Sequence, residues 1–202
     1  MPFAAVGVVA GGCGSSYART QAPRAAHVPP SCPAAWAAGW QQLAKRVGAP
    51  VYCPSWLPQP LEGQIGGEYS PSPYVNRDRS YLVSFLWFEK MPTSPYEAHV
   101  NLRGYPGRTS IPTCEDTLTT AGRTVRPKIP CFADVRGHVR FGTTTATVYT
   151  ANQGADTWHV LYAWRHYGSL YTLSQHVAPP FTYTKVVQNL DRMLHGLVLV
   201  QP

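Results

Sequence analysis

The sequence predicts an α+β domain: a twisted antiparallel sheet, an N-terminal and a C-terminal helix packed on one of its faces, and two disulfides. Three observations carry this. The 202 residues include 20 Pro, 17 Gly and only 13% charged residues, which suits short strands joined by many turns. Apolar residues recur at helical spacing in two segments, 33–47 and 183–196. Four of the five cysteines, Cys32, Cys53, Cys114 and Cys131, form an even set.

The first helix spans 33–47. Trp36, Trp40, Leu43 and Val47 share one face. Pro33 suits the first turn with Ser31 or Cys32 as cap, and Gly48 and Pro50 end the helix. The helix rises about 21 Å, and about six extended residues run back about 20 Å. That return places Cys53 beside Cys32, and their bond staples the helix to the first strand.

Residues 54–76 are rich in Pro, Gly and Ser and read as loop with one short strand near 64–69. The run "YLVSFLWFE" (81–89) reads as a central strand, and "EAHVNLRGY" (97–105) alternates as a half-buried one. In 114–131 a type II′ turn at Gly122-Arg123 sets Cys114 directly opposite Cys131. A crosslink of that loop stabilises by roughly 3 kcal/mol. Strands at 133–141 and 143–151 flank Gly142.

Residues 158–177 read as a hairpin turning at Gly168. Either turn placement gives Trp158, Val160, Tyr162 and Trp164 a common core face with Tyr171, Leu173 and Val177. The opposite face, with His159, Arg165, Thr172, Ser174 and His176, reads as wet. The closing helix, 183–196, has Thr182 as cap, Gly196 as stop, and an apolar stripe from Val186 to Leu197.

Before the domain (32–202), residues 1–12 read as a signal-peptide remnant and residues 13–31 as a disordered tether that begins at Cys13. The run "FAAVGVVA" has eight residues, far short of the ~20 that span a bilayer. No Lys or Arg precedes it, which points to a start upstream of Met1. Ala10-Gly11-Gly12-Cys13, with Ala where Leu is usual, resembles the bacterial lipobox. That resemblance implies a diacylglyceryl group on Cys13, the palmitate-type anchoring of a cell-envelope lipoprotein on the extracytoplasmic face of the membrane. Two acyl chains suffice for stable attachment.

The last ~70 residues resemble, as a pattern and not through a diagnostic motif, the envelope domains of bacterial anti-sigma factors and lipoproteins. The pattern here is Trp164, Gly168, Tyr171-Thr172-Leu173, Pro179-Pro180 and the final helix. Those domains in turn resemble half-barrel lipoprotein carriers and periplasmic sensors. No catalytic residues accompany the resemblance.

The net charge is +7, with Arg123, Arg126, Lys128, Arg136 and Arg140 clustered around Asp134. These read as solvated strand positions that suit an anionic envelope polymer or a protein partner; no nucleic-acid motif accompanies them. Trp56, Tyr69 and Tyr74 read as cover for the sheet edge, with stacking on a sugar or peptide as the alternative. His159, His166 and His176 crowd one hairpin, but no carboxylate sits at ligand spacing, so they read as surface histidines and no metal or cofactor is expected. No nucleophile elbow is present, and Glu115-Asp116, the one adjacent acid pair, point to opposite faces of a strand. The expectation is a non-enzymatic binding or sensory module. A carrier of lipid or another hydrophobic ligand on the concave face of the sheet is the first alternative, and a cryptic hydrolase the second.

Overall fold

The computed structural model describes residues 29–61, 74–89, 96–151 and 158–202. Cys13, the tether up to residue 28, the expected strand at 64–69 and Tyr69 lie outside them. In chain order the elements are α1 (Ala34–Val47), β1 (Val51–Pro54), β2 (Tyr74–Val75), β3 (Tyr81–Glu89) and β4 (Tyr96–Tyr105). Then come β5 (Thr113–Glu115), β6 (Leu118–Thr120), β7 (Arg123–Val125), β8 (Lys128–Pro130) and β9 (Asp134–Phe141). The chain closes with β10 (Thr144–Ala151), β11 (His159–His166), β12 (Ser169–His176), α2 (Tyr183–His195) and β13 (Leu197–Val200).

Seven strands form one antiparallel sheet in the order β2-β3-β4-β12-β11-β10-β9. Two meanders, β2-β3-β4 and β9-β10-β11-β12, are joined by the pairing of β12 with β4. The run 81–89 therefore lies second from one edge, beside the two-residue β2, and β12 takes the centre. Sheet order depends on long-range pairing, which the apolarity of a run does not encode.

Both helices cover one face, as the α+β reading requires. Trp40, Leu43, Ala44 and Val47 of α1 and Val186, Leu190, Met193 and Leu194 of α2 join a single core with Val83, Phe85, Val100, Tyr162, Trp164 and Leu173. Each such large side chain contributes about 1.5–3 kcal/mol on burial. The α1 cap differs from expectation: Pro33 itself is the N-cap, with no side-chain hydrogen bond. Gly48 ends the helix in the left-handed conformation, where glycine meets no Cβ penalty. Thr182 caps α2 by accepting from the Lys185 N–H at 3.3 Å. The Arg192 guanidinium lies 3.8 Å from the centre of the Trp56 ring, so Trp56 packs against α2. No described helix is long and apolar enough to cross a membrane.

After Gly196 the chain turns into a strand. Leu197, expected on the α2 stripe, begins β13, which pairs antiparallel with β1 from Val51↔Val200 to Pro54↔Leu197. Cys53 on β1 is bonded to Cys32, Cα atoms 5.6 Å apart, so α1, β1 and β13 are tied together. The Tyr52 ring makes edge contacts with Trp164 and Tyr171, at centroid distances of 5.3 and 4.9 Å, which fixes this clip on the sheet.

Cys114 and Cys131 are bonded, but the register around them is not the expected one. Leu118 pairs with Val125 and Cys114 with Ile129, so the turn centres on Ala121-Gly122, both at positive φ. A turn with both central residues at positive φ matches strand twist, and the expected register would have left Ala121 in the strand. The basic residues Arg123, Arg126, Lys128, Arg136 and Arg140 are exposed, as the solvated reading expects.

Candidate functional site

The hairpin of β11 and β12 turns at Tyr167-Gly168, and His166 pairs with Ser169. Tyr162 then faces Leu173, and Trp164 faces Tyr171, on the core side. Trp158, expected on that side, precedes β11 at φ 63° and is 70% exposed. Its carbonyl instead accepts from the Val177 N–H at 2.9 Å.

The opposite face of the hairpin is not wet. His159, Thr172 and Ser174 are buried, and Arg165 is the exposed member of the expected set. The disulfide-bearing segment between β4 and β9 covers one end of this face. There Phe132 packs with Tyr149, Leu161, Ala163 and Leu170 in a second apolar cluster, together with Ile111 and Cys131. A sheet covered on both sides buries polar positions that alternation alone assigns to solvent.

From the edge of that cluster the register builds a mixed rung and then a rung of histidines. In one, Leu161, Ser174, Asn101 and Ser84 lie side by side across β11, β12, β4 and β3. The Ser84 hydroxyl donates to Asn101 Oδ1 at 2.7 Å. In the next, His159 pairs with His176, and His99 stands one step beyond the Gln175↔Val100 pair, beside His176. Three imidazoles from three adjacent strands therefore meet. Their centroids are 4.5 Å apart for His99–His159, 5.0 Å for His99–His176 and 5.3 Å for His159–His176. One nitrogen from each lies within 4.8 Å of the others. His159 is 2% exposed, while His99 and His176 are half-buried and reach solvent.

Ser174 Oγ lies 2.9 Å from His159 Nδ1. A ring that donates Nδ1–H to this hydroxyl keeps a lone pair on Nε2 and a fixed orientation. A serine beside an imidazole is also half of a hydrolase dyad. Here the serine is buried mid-strand, and no carboxylate joins the three imidazoles among the described residues.

Of the histidines singled out in the sequence, His159 and His176 come together, and His166 does not. His166 lies at the other end of the hairpin, where its Nδ1 meets the Tyr52 hydroxyl. His99 takes its place. The alternation in 97–105 puts His99 on a face with Asn101 and Arg103, but only the pairing of β4 with β12 brings it to the hairpin.

An open depression lies elsewhere, along Tyr74 to Asp78. Asp78 accepts from the Ser80 hydroxyl at 2.6 Å and the Ser80 N–H at 3.0 Å, and these bonds hold its carboxyl below the ordinary range. Tyr74 is exposed there. Its charged groups serve a local turn, with Arg108 3.8 Å from Asp78.

No family model matches the chain, and neither a curated protein nor a solved structure does.

Proposed function

We propose that the chain is a non-enzymatic binding module of the bacterial cell envelope, held on the extracytoplasmic face of the membrane by a diacylglyceryl group on Cys13. The observation that carries the binding reading over the carrier is the filled space beneath α2. Val186, Leu190, Met193 and Leu194 are at most 1% exposed and share one core with Tyr162 and Trp164. A lipid carrier needs an apolar cavity at that place. Burial of Ser174 argues against the hydrolase, because a nucleophile must reach its substrate. The two disulfides support an oxidising compartment. The exposed Arg123, Arg126, Lys128, Arg136 and Arg140 suit an anionic envelope polymer, with binding that weakens as salt rises.

Native mass spectrometry of the full chain extracted from membranes tests this. The expected species begins at Cys13, carries a covalent diacylglyceryl group and holds no further lipid. An unmodified Cys13 in the membrane fraction overturns the anchor. A second lipid bound non-covalently overturns the choice of binding module over carrier.

A further inference from the structure

We propose that His99, His159 and His176 bind one divalent first-row transition-metal ion, of the zinc, cobalt, nickel or copper class, through three imidazole nitrogens. This names the ligand of the binding module and rests on that reading only in assigning no turnover to the ion.

Three strands converge on one point of one face, and each brings an imidazole nitrogen there. Imidazole nitrogens on a tetrahedral ion lie about 2.0–2.1 Å from the metal and hence about 3.4 Å from one another. The three nitrogens already lie within 4.8 Å of one another, so ligation asks the site to tighten by little more than about 1 Å, with Ser174 Oγ 2.9 Å from His159 Nδ1 as the anchor. Imidazole donors favour these borderline metals over calcium or magnesium, which take oxygen ligands. Both disulfides keep their sulfurs out of the donor set. Among the described residues no further His, Cys or carboxylate joins the three imidazoles, which leaves a fourth position for water or another donor. Ser174 is a positioning residue: it orients His159 and does not touch the ion.

The full chain, stripped with a chelator, is titrated with Co(II) and read by the visible bands of the bound ion, with Zn(II) as competitor. One ion per chain is expected. His176→Ala and His99→Ala should each weaken binding at least about tenfold, and Ser174→Ala by about 10–100-fold. His138→Ala, at an exposed position on β9, should leave it unchanged. Both half-buried histidines can be removed without opening the core, and circular dichroism verifies the fold of each variant. No saturable binding at one per chain, or binding indifferent to His99 and His176, overturns the site. Should the loaded chain hydrolyse an activated ester, and lose that turnover in the same variants, the metal site stands and the non-enzymatic reading falls.

Discussion

Tyr162 on the central hairpin donates its hydroxyl proton to Asp191 Oδ1 on α2 at 2.8 Å. The bond joins the sheet to its closing helix at the rim of the core. Its acceptor is a carboxylate, so it is stronger than a neutral pair. Tyr162→Phe keeps the ring and removes the bond. A loss of about 1–2 kcal/mol is expected in urea unfolding, at the lower end for bonds to charged groups because the site is only partly buried. An unchanged unfolding midpoint would show that water replaces the bond without cost.

Gly104 is the partner of Tyr81 in the β3–β4 ladder, and the buried Tyr81 ring lies directly over its Cα. A Cβ at this position would collide with the Tyr81 ring atoms Cε1 and Cζ. The ring is buried in the core, so displacing it disturbs the side chains packed around it. Gly104→Ala should therefore cost about 1–3 kcal/mol through overpacking, against the small gain that replacing a strand glycine usually brings. Thermal unfolding checks the sign; a stabilised variant would mean that the Tyr81 ring is free to move.

The residues alone disclose what is encoded locally. Helices, hairpins and cysteine partners were legible because their signals are local: the 4, 3, 4 spacing from Trp36 to Val47, the glycine at 168, the even cysteine set. Features that depend on distant partners were not. Leu197–Val200 pairs with Val51–Pro54 across most of the chain, and nothing near Gly196 announces a strand. His99 reaches the site only through the β4–β12 register, and His159 is buried where alternation along its own strand reads solvent. The Ala121-Gly122 turn is hidden in the sequence because alanine rarely adopts φ 50°, a preference overruled here by the twist of its hairpin.

The Cys32–Cys53 bond closes a loop of 21 residues that holds all of α1. Replacing both cysteines by serine should lower stability by about 3 kcal/mol, chiefly through the unfolded chain. The native consequence is local as well. Cys53 is fully buried in the core and Cys32 is half-buried against it, so the hydroxyl introduced at position 53 would enter an apolar site. Hydrogen exchange should then show early opening of β1 and β13 with the β11–β12 hairpin still protected. Uniform loss of protection would mean that the clip and the sheet unfold as one unit.

Alkaline pH should unfold the protein through its buried tyrosines. Burial raises the Tyr52 hydroxyl from its ordinary 10.0 to about 12. Burial likewise raises Tyr81 and Tyr171, and it raises Tyr162 with help from the hydrogen bond to Asp191 and that group's charge. Each folded-state pKa lies above its unfolded value. Between the two, the native chain holds protons that the unfolded chain has released, so stability falls as pH rises. The contribution is fully present below pH 10.0 and is lost through about 12 for Tyr52, higher for Tyr162. Tyrosinate absorbance followed together with near-ultraviolet circular dichroism checks this. Part of the absorbance should appear only as the tertiary signal disappears, and Tyr162→Phe should reduce that late fraction and move the transition upward in pH relative to its own neutral stability. Complete ionisation near pH 10 with the tertiary signal intact would mean that these hydroxyls meet water freely, and the packing of Tyr52 against Trp164 and Tyr171 would be wrong.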